Sequence, residues 1–222
     1  NGRTGHNSAL YLDVDSSLGD VSDTKFISNY GNGGGAIYVN NRGYNGSSIG
    51  IFTNVLFENN EASGTGGAIR IDSGSSMTVG KFKDVTFKGN KATYNGGALA
   101  VNGSMTFDGF ENIKFEGNTA NNAGGAIVVE ELSKVKFGNF TNVSFKNNEA
   151  ASGSAISATS GGTEFGDWNN VDFINNKITA SNRGYGGVVA LHDATIGNWD
   201  TGIMQGADSD YRVTNGGGIG AD

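Results

Sequence analysis

The chain has 222 residues, no cysteine, no proline, 38 glycines and a formal net charge of −7. The acidic balance argues against a nucleic-acid partner, because phosphate-binding surfaces need clustered Lys and Arg, and the missing cysteines exclude disulfides and thiolate metal sites. Glycine without proline, alongside many Asn, Ser, Thr and β-branched residues, predicts short strands joined by tight turns and almost no helix.

The first predicted strand lies at Leu10, in phase with strands found later in the chain. Leu10 precedes Phe26 by the same interval as Leu99 precedes Phe115. We therefore expect the chain to open inside a repeat. At the other end, the Gly-Gly-Ile sequence that finishes at Ile219 fits the same slot, so we expect the chain to be cut from a longer protein at both ends.

A Phe-x-x-Asn motif recurs along the chain at intervals of 28 to 31 residues, counted between the phenylalanines. The six copies are Phe26/Asn29, Phe57/Asn60, Phe87/Asn90, Phe115/Asn118, Phe145/Asn148 and Phe173/Asn176. A seventh, degenerate copy has Met204 in the phenylalanine slot. Near-constant spacing of this kind indicates a repeat architecture.

Each copy is followed by a second motif, Gly-Gly-Ala and an aliphatic residue. The copies begin at Gly34, Gly66, Gly96 and Gly124, with weaker versions at Gly153 and Gly186. Alternating apolar residues follow each of them, which predicts a half-buried strand. Residues eight, five and two before the phenylalanine slot are also apolar in nearly every copy.

One repeat therefore holds about three short strands and roughly six inward residues. Strands this short cannot form an independent sheet, so each repeat must pair with the repeats before and after it. We predict an all-β protein, a single-stranded right-handed parallel β-helix with about seven coils of 28–31 residues. Residues 1–222 are expected to be one segment of this solenoid.

Stacking places equivalent residues in columns. The Asn column predicts a ladder of amides. Seven residues before the phenylalanine slot the residue is Gly in every copy except one, which has Asp108; this predicts a corner with positive φ or without room for Cβ. Residues just after the slot alternate in charge, and we interpret them as structural rather than as a binding site. They are Glu58, Lys88, Glu116 and Lys146.

Gly-Gly-Ala-Ile/Leu/Val paired with Phe-x-x-Asn resembles the repeat of the chlamydial-type polymorphic outer membrane proteins, and the resemblance covers residues 5 to 220. It implies a type V secreted (autotransporter) passenger, exported through a C-terminal membrane barrel and displayed on the bacterial cell surface, often for adhesion to host cells. Members of that family commonly carry cysteines, whereas this chain has none.

Few residues are candidates for chemistry. Asp208, Asp210 and Arg212 gather in a long predicted loop, which we interpret as solvated, with a calcium or carbohydrate contact as the alternative. Asp13 and Asp15 flank Val14 and are expected to share a strand face, again as solvated residues. His6, and His192 beside Asp193, lack the companions of a catalytic triad or a metal site. These candidates are Asp13, Asp15, Asp208, Asp210, Arg212, His6 and His192.

The predicted function is a non-enzymatic adhesin passenger segment, located at the outer membrane or secreted, with no catalytic, cofactor-binding or metal-binding residues. Its expected partner is a host-cell surface protein or glycan, contacted through the loops at 40–48, 177–185 and 205–215; self-association stays open. The chain has no apolar stretch long enough to span a membrane. The alternative is a carbohydrate-active or glycan-binding β-helix module, since lyases and hydrolases share this fold.

Overall fold

The computed structural model describes residues 8–41, 48–130, 133–158, 162–179, 187–206 and 214–215, with only the backbone described at 74–76 and 214–215. Every paired strand in the described part is parallel to its neighbours, and no helix occurs there. Equivalent segments of successive repeats pair with each other: Phe87, for example, lies opposite both Phe57 and Phe115. The predicted parallel β-solenoid is therefore confirmed.

The first sheet is formed by the segments that follow the glycine motif, and most of it is a ladder of strands from successive coils. These strands are Leu10–Leu12, Ile37–Asn41, Ile69–Val79, Leu99–Phe107, Ile127–Val129, Ile156–Ala158, Val189–Leu191 and Thr214–Asn215. A continuation of the same sheet contains Ser48–Ile49, Val135–Phe137, Thr163–Phe165 and Ala194–Ile196.

The second sheet carries the phenylalanine slot, and the third is a ladder of two-residue strands just after the asparagine. The second contains Val21–Ser22, Lys25–Ile27, Phe52–Thr53, Leu56–Glu58, Phe82–Lys83, Thr86–Lys88, Phe110–Glu116, Phe140–Lys146, Trp168–Ile174, Trp199–Thr201 and Met204–Gln205. The third contains Tyr30–Gly31, Glu61–Ala62, Lys91–Ala92, Thr119–Ala120, Glu149–Ala150 and Lys177–Ile178.

The third sheet has six strands, so the described residues make about six complete turns and part of a seventh. The predicted phase at the start is confirmed, because Leu10 pairs with Ile37. The phase predicted at the end is wrong. Thr214 pairs with Ala190, so β-branched Thr214 occupies the strand predicted for Ile219, which lies outside the described residues. The right-handed sense of the coil stays a prediction.

The core consists of the predicted inward columns. Phenylalanines in the slot stack face to face, with ring centroids 4.8 to 5.0 Å apart from Phe26 to Phe173. All of them are fully buried except Phe26, which is partly buried. The column five residues earlier packs beside this stack, for example Phe82 against Phe87 at 6.2 Å. A further inward column, in the third sheet, was not predicted and is lined with small residues, namely Ala62, Ala92, Ala120 and Ala150.

The predicted asparagine ladder is present and buried. The amide Nδ2 of Asn90 donates to Oδ1 of Asn118 (2.9 Å) and to the carbonyl oxygen of Phe57 (3.0 Å). The backbone N–H of Asn90 donates to the same Oδ1 at 3.0 Å. Asn118 repeats this pattern with Asn148 and Phe87. Each amide thus satisfies backbone groups at the corner where the chain leaves the second sheet.

A second, exposed ladder was not predicted. It lies three residues before the phenylalanine slot, where the residue has a φ between 49° and 57° in all six Phe-x-x-Asn copies. Asn and Asp tolerate this left-handed backbone better than other residues with a side chain. Asn112 Nδ2 donates to Asp84 Oδ1 at 2.8 Å, and Asn142 Nδ2 to Asn112 Oδ1 at 3.0 Å. The column consists of Asp23, Asn54, Asp84, Asn112, Asn142 and Asn170.

The glycine columns reflect two different constraints. In the Gly-Gly-Ala motif the first glycine has positive φ, 64° at Gly96, whereas a Cβ on the second, Gly97, would lie 2.1 Å from the carbonyl oxygen of Gly125. The column seven residues before the slot is also set by space, because a Cβ on Gly80 would lie 2.6 Å from the carbonyl carbon of Gly50. The coils therefore approach too closely for a side chain at Gly97 and Gly80, although the latter column has a side chain at Asp108.

Candidate functional site

The charged loop singled out in the sequence cannot be placed. Asp208, Asp210 and Arg212 lie outside the described residues, as does His6. Asp13 and Asp15 do not share a strand face, because the first strand ends at Leu12 and Asp15 has a φ of 60° in the turn that follows. His192 and Asp193 are exposed, with Nε2 and Oδ2 3.7 Å apart.

The described residues hold one largely buried ionic cluster, on the outer face of the first sheet. The Nε of Arg70 donates to Oδ1 of Asp72 at 2.9 Å, and Oδ2 of Asp72 accepts a 2.9 Å hydrogen bond from the hydroxyl of Tyr38. The guanidinium also contacts Thr65, lies 5.7 Å from the centroid of the Tyr38 ring and is 3.7 Å from Oε2 of Glu130.

This cluster braces several coils. Tyr38, Arg70 and Glu130 belong to different repeats, and the coil between Arg70 and Glu130 has the small residue Ala100 opposite Arg70. Burial lowers the pKa of the Arg70 guanidinium, but the charge and hydrogen bond of Asp72 more than offset this and keep that pKa above its ordinary value. The guanidinium nitrogens all face protein partners, so the arrangement supports a structural role.

Sequence reasoning missed this cluster, although a signal was present. The outward position after the Gly-Gly-Ala-aliphatic motif is uncharged in every described coil except that of Arg70. The residues in the column are Tyr11, Tyr38, Arg70, Ala100, Val128, Ser157 and Ala190. A single arginine in a column of small and aromatic residues indicates a charged side chain that is partly buried and therefore needs an ionic partner.

We expect Arg70→Ala to lower the free energy of unfolding by about 3 kcal/mol, because it leaves the buried Asp72 carboxylate without its ion pair. Chemical denaturation followed by circular dichroism measures this loss. The double variant Arg70→Ala/Asp72→Asn should recover part of it, since the uncompensated charge is then absent.

The matched control is an exposed ion pair on the same sheet. Lys136 Nζ and Glu164 Oε2 are 2.9 Å apart, with both side chains more than half exposed. Lys136→Ala should therefore change the free energy of unfolding by less than about 1 kcal/mol. Equal losses in Arg70→Ala and Lys136→Ala would contradict the bracing role.

The predicted charge ladder is in register. Lysines of one coil face glutamates of the two adjacent coils, and we call these rows of like charge the charged bands. Lys88 lies opposite both Glu58 and Glu116, and its Nζ is 2.8 Å from Oε1 of Glu58. That hydrogen bond, together with the negative charge of Glu58, raises the pKa of Lys88. Four lysines in one coil face glutamates of the two adjacent coils, in the pairs Lys81–Glu111, Lys83–Glu111, Lys88–Glu58 and Lys91–Glu61.

A ridge without charge separates these bands from the first sheet. It consists of the turns that join the third sheet to the Gly-Gly-Ala motif, and we call it the neutral ridge. It contains residues 32–33, 63–65, 93–95, 121–123 and 151–152, all of them Asn, Ser, Thr, Gly, Ala or Tyr. Its turns are stacked by hydrogen bonds, such as Tyr94 N to the carbonyl oxygen of Gly64 (3.0 Å).

Tyr94 projects from the middle of the neutral ridge. Its side chain is 55% exposed, the largest exposed fraction of any large hydrophobic residue in the described chain. Tyr, Ser, Gly and Asn are also the residues that dominate antibody binding loops, because Tyr supplies contact area with little loss of conformational entropy and the others supply hydrogen bonds. The ridge therefore has the composition of a contact surface.

Other kinds of site are not found in the described part of the chain. No three His, Cys, Asp or Glu side chains come together there as ligands for a metal ion. A search for helices long and apolar enough to cross a membrane found none among the same residues.

The repeat itself is recognised by comparison with known families. Residues 54–72, 84–102 and 112–130 each match the family model of the Chlamydia polymorphic membrane protein repeat. Each match starts three residues before a phenylalanine slot and includes one Phe-x-x-Asn and one Gly-Gly-Ala motif. No curated protein and no solved structure shows significant similarity to the chain. Three successive coils of the solenoid thus match the Chlamydia polymorphic membrane protein repeat.

Proposed function

We propose that this chain is a segment of a surface-displayed autotransporter passenger, a non-enzymatic scaffold that carries a contact surface for a host cell. The observation that carries the proposal is the three matches to a repeat whose family is named for membrane proteins. The stack of parallel coils in the described residues agrees with a spacer role, since a solenoid adds length with each repeat.

The neutral ridge is the proposed contact surface within the described residues. Several of the charges beside it are paired with one another, as Lys88 is with Glu58 at 2.8 Å. The ridge, in contrast, presents uncharged hydrogen-bonding groups and the ring of Tyr94. Such a surface suits a neutral partner and loses little free energy by desolvation of charge.

Two measurements test the proposal. An antiserum raised against the chain should label intact bacteria that produce the protein, as expected for surface display. The purified chain, labelled with a fluorophore, should bind cultured epithelial cells in a saturable manner. Labelling only after the bacteria are permeabilised would contradict the surface location, and a lack of saturable binding would contradict the adhesin role.

Tyr94→Ala should weaken the binding of the purified chain to cells at least tenfold, the order of loss found when a central aromatic contact is removed. Flow cytometry over a range of protein concentrations measures this change. Tyr30→Ala is the matched control, because Tyr30 is 45% exposed but lies on the third sheet outside the neutral ridge. Equal effects of the two variants would contradict the assignment of the ridge.

Glycan binding is the second candidate function, and the neutral ridge also favours it. An exposed aromatic ring surrounded by amides and hydroxyls can stack on a sugar ring and bond its hydroxyls. A glycan array incubated with the chain tests this candidate. Binding to neutral glycans that Tyr94→Ala abolishes would support it, whereas an array without signal would contradict it and leave a protein receptor.

A further inference from the structure

We propose that Asn32 is a site of spontaneous deamidation, built by the fold into the neutral ridge. Asn32 is exposed and is followed by Gly33, which has no side chain to hinder attack by its backbone nitrogen. Within the described part of the chain the Gly33 amide donates no hydrogen bond. No acceptor among those residues thus competes with the neighbouring carboxamide for this nitrogen.

Two other Asn-Gly pairs in the described residues are protected. The amide of Gly96, after Asn95, donates to the carbonyl oxygen of Ala123 at 2.9 Å. The amide of Gly103, after Asn102, donates to Oγ of Ser133 at 2.9 Å. A hydrogen bond must break at either site before the nitrogen can react. Sequence alone makes the three pairs equivalent, whereas the described structure gives the Gly96 and Gly103 amides hydrogen bonds that the Gly33 amide lacks among the same residues.

A hydrogen bond from the next coil also activates Asn32. The hydroxyl of Ser63 donates to Oδ1 of Asn32 at 3.1 Å, which polarises the side-chain carbonyl and stabilises negative charge that forms on this oxygen during attack. The same oxygen of Asn95 also accepts a hydrogen bond, from the backbone amide of Ala123 at 3.3 Å, so the difference between the two sites lies in the glycine amides. Both reactants at Asn32 are thus favourably arranged.

The reaction needs only water. The Gly33 nitrogen bonds to Cγ of Asn32, the bond from Cγ to the side-chain nitrogen breaks, and the proton lost by Gly33 leaves with that nitrogen as ammonia. Water then opens the resulting succinimide at either carbonyl and gives aspartate or isoaspartate. Either product adds one negative charge to the neutral ridge, and isoaspartate also lengthens the backbone by one carbon beside the tightly packed Gly34.

The test is a time course of the purified chain at 37 °C and mildly alkaline pH. Peptide mapping by mass spectrometry, with separation of aspartate and isoaspartate, follows each pair. We expect Asn32 to react about tenfold faster than Asn95 or Asn102, the factor that one hydrogen bond contributes. In urea, where the chain is unfolded, the three rates should converge.

Ser63→Ala should slow the reaction at Asn32 several-fold and leave Asn95 and Asn102 unchanged, and circular dichroism verifies that this variant is folded. Asn32→Ser, which cannot deamidate, should show no aspartate or isoaspartate in the peptide that contains residue 32, whereas the unchanged chain does after the same incubation. An Asn32 that stays intact in the folded chain, or that reacts no faster than Asn95, would overturn the proposal.

Discussion

Phe115→Asp is expected to unfold the chain. The Phe115 ring is fully buried and stacks on Phe87 (4.9 Å) and Phe145 (4.8 Å), with interplanar angles of 4° and 3°. Loss of the ring costs about 3 to 5 kcal/mol in a well-packed core, and burial of an unpaired carboxylate costs several more. The total is comparable to the whole stability of an ordinary domain, so the β signal in circular dichroism should be lost.

Lys114→Asp is the matched control for this prediction. Lys114 precedes Phe115 in the same strand, but its side chain points outward and is exposed. The same new carboxylate should there change the free energy of unfolding by less than about 1 kcal/mol. A Phe115→Asp protein that folds and melts like Lys114→Asp would contradict the stacked core. Phe115→Leu, which keeps an apolar side chain, should fall between the two.

The inward columns could be predicted from the sequence because burial requires the same residue type in every coil. The same requirement for a buried aromatic ring applies to Phe57, Phe87 and Phe115. Their spacing in the sequence therefore gives the length of the repeat. The period in turn fixes the pairing, since equivalent residues of successive coils lie opposite each other. The strand of Ala62 escaped prediction because alanine is too small and too common to stand out as an apolar column.

The Arg70 cluster could not be predicted with the same ease. The Arg70 side chain reaches Glu130 because the small side chain of Ala100 leaves space between them. That space depends on the stacking of three coils, so it cannot be read from the residues around Arg70 alone. The turn at Asp15 escaped for a related reason. Alternation alone predicts a strand that continues past Leu12, but the chain turns there and Asp15 has left-handed backbone, which Asp tolerates.

Two asparagine ladders in one fold show what the surroundings contribute. The buried ladder of Asn90, Asn118 and Asn148 and the exposed ladder of Asn112 and Asn142 have amide-to-amide bonds of similar length, 2.9 to 3.0 Å. The buried amides donate to the following coil and the exposed ones to the preceding coil. Only the buried ladder also forms hydrogen bonds with backbone groups that water cannot reach. The phenylalanine spacing leads directly to the buried ladder, whereas the exposed one is dictated by φ and mixes Asn with Asp.

Asn118→Ala should lower the free energy of unfolding by about 4 kcal/mol. The side chain of Asn118 donates to Asn148 Oδ1 and to the carbonyl oxygen of Phe87, each at 3.0 Å, and accepts from the backbone and side chain of Asn90. Alanine leaves these buried groups unpaired, and each unsatisfied group costs about 1 to 3 kcal/mol. Urea denaturation measures the loss, and Asn118→Asp should also destabilise because it removes the donor.

Asn112→Gly tests the same chemistry at the surface. Asn112 donates to Asp84 at 2.8 Å and accepts from Asn142 at 3.0 Å, but water can replace both bonds. Glycine also adopts the φ of 55° at this position without strain. The loss should therefore stay below about 1 kcal/mol. If Asn112→Gly lowers the free energy of unfolding as much as Asn118→Ala does, the amide-to-amide bonds themselves stabilise the fold. If only Asn118→Ala has a large effect, the stabilisation comes from the hydrogen bonds to buried backbone groups.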